Sequence, residues 1–113
     1  MAETACQVVT TVDAEGVARE LARGAVAARL AACAQLAGPM ISVYWWHDAV
    51  TSATEWQIVF KTTAESYPAL AAFLRAHHPY DVPEILCLPI SGGDATYLAW
   101  LAEQVRDTPA GPE

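Results

Sequence analysis

Basic residues are scarce in this chain of 113 residues. Six lysines and arginines stand against thirteen aspartates and glutamates, which gives a formal net charge of −7 at pH 7. Nucleic-acid binding needs clustered lysine and arginine to neutralise phosphates, and anionic membranes attract basic segments, so the composition argues against both partners. The sequence also has no apolar N-terminal run of signal-peptide length and no run long enough to span a membrane. We therefore expect a cytoplasmic protein.

Cysteine is also scarce, and the sequences that carry catalysis are missing. Cys6, Cys33 and Cys87 are odd in number, lie in apolar surroundings and form no C-x-x-C motif. This pattern predicts reduced core thiols and argues against a structural zinc site. There is no nucleophile elbow, and Gly92-Gly93 is too short for a phosphate-binding loop. The sequence therefore predicts a protein without enzymatic activity.

Apolar residues, by contrast, are abundant for so short a chain. They make up 54% of the sequence, more than a single small core can hold. We expect some apolar surface to contact another subunit. The length predicts one domain over residues 1–106, and the proline- and glycine-containing segment 107–113 is expected to be a frayed tail.

Hydrophobic periodicity predicts four strands and three helices. The strands are expected at Ala5–Val12, Met40–Trp46, Glu55–Thr62 and Ile85–Ile90. The helices are expected from Asp13 to about Ala32, from Ser66 to His77, and from an Asp94 cap to about Val105. This order predicts an α+β fold of the ferredoxin-like βαββαβ type, an antiparallel sheet with two helices on one face, followed by a C-terminal helix. The uninterrupted apolar run of the fourth strand predicts a central position, buried on both faces.

Aromatic side chains indicate an assembly. Tyr44-Trp45-Trp46 places bulky rings on both faces of the second strand, and Trp56 adds another. Exposed together, they form a larger apolar patch than monomers usually carry, and the open edges of the sheet also need cover. We expect a homo-oligomer formed through the sheet, with the third helix covering part of these aromatics.

Functional groups are densest between the second helix and the fourth strand. Residues 77–84 hold two histidines, two acids, a tyrosine and two prolines. Each proline disfavours helical geometry in the residue before it, so the segment is stiff and holds its side chains in fixed places. Two interpretations stay open here. The segment is either a functional site or a rigid helix-to-strand joint with a capping histidine.

The chain resembles the CutA divalent-cation-tolerance family over most of its length. The resemblance is carried by the segments Arg29–Ala34, Ser42–Trp46, Lys61–Thr63, His77–Tyr80, Pro83-Glu84 and Gly93-Asp94, together with Glu55, Gln57, Tyr97, Leu98 and Trp100. It implies a ferredoxin-like subunit in a homotrimer, associated with metal tolerance and copper binding. Two features depart from the family pattern. The hairpin tip His47–Ala53 lacks most of the usual charges, and Thr10 stands where some members have a cysteine.

Three histidines are the candidate metal ligands, His77, His78 and His47. Imidazole suits Cu(II), which binds most tightly among the common divalent ions. Adjacent histidines on a regular helix diverge too far to share one ion, but Pro79 ends the helix and frees the angle. For His47, which precedes Asp48, a solvated turn is the alternative interpretation.

A second candidate site is a ligand cleft at a subunit boundary. It is predicted to be lined by Lys61, His78, Tyr80 and Glu84. A lysine among apolar strand residues needs a nearby acceptor, and there it would hold an anionic ligand. The structural alternative is a salt bridge or hydrogen bond that sets the register between subunits.

Two functions follow from these candidate sites. The first is a homotrimer that binds divalent metal ions, copper in preference, without catalysis and without a required cofactor. The second is a small-molecule sensor or signalling scaffold that uses the intersubunit cleft.

Overall fold

A four-stranded antiparallel sheet organises the protein. The computed structural model describes residues 4–105. The strands are β1 (Ala5–Val12), β2 (Cys33–Trp46), β3 (Ala49–Thr63) and β4 (Leu86–Pro89), and the helices are α1 (Glu15–Ala27), α2 (Tyr67–His77) and α3 (Ala95–Gln104). The strand order is β2-β3-β1-β4. The element order and the antiparallel sheet confirm the predicted ferredoxin-like fold.

The main core lies between one face of the sheet and the first two helices. Alternate residues of β1 and β3 meet the apolar faces of α1 and α2, and the cluster includes Val8, Phe60, Leu21 and Leu74, each at most 3% exposed. Helix α3 packs on the opposite face, where Leu101 joins Ala5 and Ala32 in a smaller cluster. This helix leaves Trp45 73% exposed. Within one protomer, α3 therefore does not give Trp45 the partial cover that was expected for the aromatics.

Helix α1 ends earlier than its alanine-rich sequence predicts. It stops at Ala27, and Arg29 adopts a left-handed backbone with φ 65°. The N–H of Leu30 then bonds to the carbonyl oxygen of Ala25, which closes the helix end, and the chain turns into β2. The guanidinium of Arg29 donates to the carbonyl oxygen of Gln104 at 3.1 Å and so ties this turn to α3.

Strand β2 starts seven residues before its predicted position and passes through Gly38-Pro39. The two residues, joined by a cis peptide bond, form an irregularity between Ala37 and Met40, and pairing with β3 continues on both sides. An edge strand tolerates the missing N–H of a proline. Glycine is required at position 38, because a Cβ there would lie 2.5 Å from Cδ1 of Trp56.

The β2–β3 hairpin is longer than predicted because its turn has only two residues. His47 and Asp48 both have positive φ, 49° and 63°, and Trp46 pairs with Ala49. Two central residues with positive φ are typical of the tight turn that matches the twist of a hairpin, and histidine and aspartate adopt this region more readily than most residues. Residues 49–54, which lie before the predicted start of this strand at Glu55, therefore belong to β3.

Strand β4 lies at the edge of the sheet rather than at its centre. It pairs with β1 alone, and Leu86 and Leu88 are 53% and 45% exposed. The prediction of a strand buried on both faces is wrong for the protomer, because no element of the described residues lies beyond it. Helix α2, by contrast, begins as predicted, with Ser66 at the N-cap and Pro68 in the first turn.

The predicted frayed tail over residues 107–113 lies outside the described residues. Within residues 4–105, no helix is long and apolar enough to cross a membrane.

Candidate functional site

His78 opens the link between α2 and β4, and two hydrogen bonds fix its ring. Its Nε2 lies 2.9 Å from the carbonyl oxygen of Thr11, and the N–H of Tyr80 donates to its Nδ1 at 3.1 Å. Because a carbonyl oxygen only accepts, Nε2 carries the proton. The side chain is buried, so this residue ties the link to the end of β1. In this arrangement neither ring nitrogen is free for a metal ion.

His77, the last residue of α2, has a different environment. Its exposed ring packs on Phe73 with centroids 4.4 Å apart, and its Nδ1 lies 2.9 Å from the carbonyl oxygen of the same residue. Nδ1 is therefore the donor, and Nε2 has no hydrogen-bond partner in the described chain. Metal-binding histidines commonly donate their other ring N–H to a backbone carbonyl in this way. His77 thus has the geometry of a single metal ligand.

His47 lies in the hairpin turn, away from the link. Its ring meets the edge of Trp46, with centroids 4.7 Å apart and planes at 70°. Across residues 4–105, no three histidine, cysteine, aspartate or glutamate side chains come together as a metal site. A strong site built on His77, His78 or His47 would need ligands from more than one chain.

Tyr80 and Glu55 form the best-defined polar pair of the link. The Tyr80 hydroxyl donates to Oε2 of Glu55 at 2.7 Å, and Glu55 is only 7% exposed. Burial, then the hydrogen bond and the negative charge of Glu55, raise the pKa of Tyr80 well above its ordinary value. The phenol therefore stays protonated and donates to the carboxylate. The pair connects the link to the middle of β3.

An open cleft of about 700 Å³ surrounds this pair, between the link and the base of the hairpin. Aromatic and acidic side chains dominate its walls. The lining includes Tyr44, Trp46 and Tyr80 together with the carboxylates Asp13, Glu55, Asp81 and Glu84. No lysine or arginine of residues 4–105 lines it. Such a cleft favours a cationic ligand or one rich in hydrogen-bond donors.

Of the predicted cleft residues, the protomer brings three together and separates the fourth. Tyr80 and Glu84 line the cleft, and His78 supports its base through the bonds to Thr11 and Tyr80. Lys61 lies six residues beyond Glu55 on β3, about 20 Å along the strand. Its Nζ donates to Oε1 of Gln35 at 2.6 Å. Convergence of Lys61 with the others across a subunit boundary stays a prediction.

Most of the cleft lining was not among the predicted site residues, and three of these residues are instructive, Glu55, Asp13 and Tyr44. Glu55 carried one available signal, since a carboxylate in a largely apolar strand needs a partner if it is buried. Asp13 was the expected start of the first helix, but Ala14 holds the N-cap position and Asp13 lines the cleft. Tyr44 was interpreted as an interface aromatic. Only the tertiary structure places it in the same cleft as Tyr80.

Comparison with known proteins decides the family. A family model described as "CutA1 divalent ion tolerance protein" matches residues 6–104. The chain belongs to the CutA1 family. The "Divalent-cation tolerance protein CutA" of Escherichia coli O45:K1 (strain S88 / ExPEC) is 40% identical over 103 residues, which cover 91% of this chain and 92% of that relative.

Solved CutA1 structures have the same fold. The Cut A1 divalent cation tolerance protein from Thermus thermophilus superposes with a TM-score of 0.88 at 40% identity, covering 90% of this chain and 99% of that one. CutA1 from Oryza sativa gives a TM-score of 0.91 at 34% identity, covering 95% and 98%. The family resemblance inferred from the sequence is confirmed. The CutA1 family is named for tolerance of divalent ions and not for a catalysed reaction.

Proposed function

We propose that this CutA1 protein is a homotrimer that binds divalent metal ions, copper in preference, and acts in metal tolerance without catalysing a reaction. Family membership supports the tolerance role, and the relatives' names refer to divalent cations. The observation that carries the metal-binding proposal is His77, whose Nδ1 is bonded to a backbone carbonyl and whose Nε2 is free in the described chain. Copper is preferred because imidazole nitrogen binds Cu(II) more tightly than it binds the other common divalent ions.

The hairpin supports an assembly of several chains. Ile41, Val43, Trp45 and Val50 are each at least 64% exposed in the protomer. Edge strands β2 and β4 also leave backbone groups free to pair. A second copy of the chain would cover both features. Each chain supplies few ligands, so a strong metal site needs histidines from more than one chain. A trimer would bring the equivalent histidines of three chains into one assembly.

Calorimetric titration with Cu(II) and Zn(II) tests the metal proposal. We expect Cu(II) to bind more tightly than Zn(II), and His77→Ala to weaken Cu(II) binding at least about tenfold. His47→Ala, measured separately, shows whether the hairpin turn adds a ligand. The matched control is Arg75→Ala, which replaces another exposed side chain near the same end of α2. Unchanged Cu(II) affinity in both histidine variants would refute a site on these residues.

The second candidate function, a small-molecule sensor or scaffold, is favoured by the cleft. Its volume of about 700 Å³ is in the range of small-molecule sites, and the Tyr80–Glu55 pair places a fixed donor and acceptor at its wall. Its carboxylates favour a cationic ligand over the anion expected from the sequence. Lys61 of a neighbouring chain would change that preference if it reached the cleft.

Two variants distinguish a functional cleft from a structural one. A panel of cationic and anionic metabolites is titrated into the parent, Glu84→Gln and Lys61→Met. A functional cleft requires Glu84→Gln to weaken cation binding without changing thermal stability. If Lys61 is functional, Lys61→Met abolishes ligand binding and leaves the trimer intact. If Lys61 is structural, the same change lowers thermal stability alone. Binding of no panel member by the parent would contradict the sensor function.

We propose a cytoplasmic location for the trimer. The support is the three free thiols, Cys6, Cys33 and Cys87, which a reducing compartment keeps unpaired. Cell fractionation followed by immunodetection of the full chain measures the location directly. Recovery in a periplasmic or secreted fraction would contradict the proposal.

A further inference from the structure

Two of the three cysteines lie side by side across the β1–β4 pair. Cys6 pairs with Pro89, and Val8 pairs with Cys87. Because side chains alternate along a strand and paired residues point to the same face, Cys6 and Cys87 share a face as diagonal neighbours. The register therefore places the two thiols next to each other on one face of the sheet. Burial, and then the neighbouring Cys87 thiol, raise the pKa of Cys6 to about 12.

We propose that Cys6 and Cys87 form a two-coordinate site for Cu(I). Thiolate sulfur is a soft ligand that selects Cu(I) over the divalent ions bound by oxygen or imidazole. The two thiols release two protons and form two sulfur–copper bonds, so binding of Cu(I) needs no oxidant or reductant. In the protomer, Cys87 is exposed and gives the ion access, whereas Cys6, 2% exposed, closes the site from the core side.

The diagonal arrangement suits a metal ion better than a disulfide. Diagonal neighbours on antiparallel strands lie about 7–8 Å apart, whereas an unstrained disulfide needs Cα atoms about 4.4–6.8 Å apart. A copper ion between the two sulfurs replaces a single S–S bond with two S–Cu bonds, so the two cysteines can be linked over a greater distance. Two ligands are also enough for Cu(I), which is why the site does not require a cluster of three.

This site is separate from the histidines of the proposed function. It holds the other oxidation state of copper, uses sulfur and lies at the edge of the sheet formed by β4. Its test is therefore independent of the Cu(II) titration. His77→Ala should leave Cu(I) binding unchanged, so failure of one site does not imply failure of the other.

Competition with a coloured chelator measures Cu(I) binding. Reduced full-length protein is added without oxygen to the Cu(I) complex of bathocuproine disulfonate, and loss of absorbance reports transfer of the ion. The decisive variant is Cys87→Ser, because Cys87 is exposed and its replacement leaves the core intact. The matched control is Cys33→Ser, which removes the third thiol, 3.7 Å from the Tyr97 hydroxyl.

The proposal expects the parent and Cys33→Ser to withdraw Cu(I) equally, and Cys87→Ser to bind it at least about tenfold more weakly. Equal binding by Cys87→Ser and the parent would overturn the site. An equal loss in Cys33→Ser would overturn it as well. Rapid and complete formation of a Cys6–Cys87 disulfide on treatment with diamide, seen by mass spectrometry of linked peptides, would contradict the argument from the diagonal span.

Discussion

Replacing His78 should lower the stability of the protein and leave copper binding unchanged, whereas replacing His77 should weaken copper binding and change the stability little. In His78→Ala, the carbonyl oxygen of Thr11 and the N–H of Tyr80 lose their partners, and the buried ring leaves a cavity. A typical hydrogen bond contributes about 1 kcal/mol, and a buried group left unpaired costs about 1–3 kcal/mol. We therefore expect His78→Ala to lower the free energy of unfolding by about 2–4 kcal/mol.

His77→Ala should cost much less. The exposed ring loses one bond to the carbonyl oxygen of Phe73 and its contact with that ring, while alanine is the better helix former. We expect a change below about 1 kcal/mol in the free energy of unfolding. Cu(II) affinity should follow the reverse order, falling in His77→Ala and staying near the parent value in folded His78→Ala.

Urea unfolding followed by tryptophan fluorescence measures the stability difference. All variants are compared at one protein concentration, because subunit association adds to apparent stability. His78→Gln, which keeps a donor and an acceptor, should recover part of the loss. Equal unfolding midpoints for His78→Ala and the parent, with equal slopes, would refute the structural role assigned to His78.

Three further predictions concern the hairpin, the β2 irregularity and the half-buried Tyr80. Light scattering at low micromolar concentration should give three times the chain mass for the parent and for the helix-surface control Ala72→Glu, but a smaller mass for Trp45→Glu; a monomeric parent would contradict the trimer. Gly38→Ala should lower the unfolding free energy by about 1–3 kcal/mol because its Cβ would clash with Trp56, which thermal unfolding checks. The raised pKa of Tyr80 shows that folding favours the neutral phenol. The contribution of this phenol to stability is therefore complete below about pH 10, the ordinary tyrosine pKa, and is lost progressively as the pH rises above that value. Tyr80→Phe should therefore lose less stability than the parent as the pH rises from about 9 to about 11 in urea unfolding; equal losses would contradict this assignment.

Local patterns were enough to predict most elements of the fold. The alternation of β1 predicted its bounds, and Ser66 with Pro68 predicted the start of α2. Asp94 was predicted to cap α3, and its side chain accepts from the N–H of Tyr97. These features depend on interactions between residues close in sequence, so the sequence carries them directly.

Long-range contacts decided the features that the sequence predicted wrongly. No glycine or proline marks the end of α1 in the sequence. The helix ends where Arg29 adopts a left-handed backbone and bonds to Gln104 on α3. Strand β2 continues through Gly38-Pro39 because β3 pairs with it on both sides. The apolar run of β4 was consistent with a central strand, and only the sheet order places it at an edge.

For the candidate site, the sequence by itself determined which chemical groups residues 77–84 carry. The tertiary structure decided what each group can do. His77 and His78 are equivalent in sequence, yet one ring keeps a free nitrogen, whereas the other bonds to β1 and to the link. Glu55 meets Tyr80 across 25 positions, whereas Lys61 on the same strand face bonds to Gln35. Hydrogen bonds between residues distant in the chain depend on how strands and link pack together, and no local pattern encodes that packing.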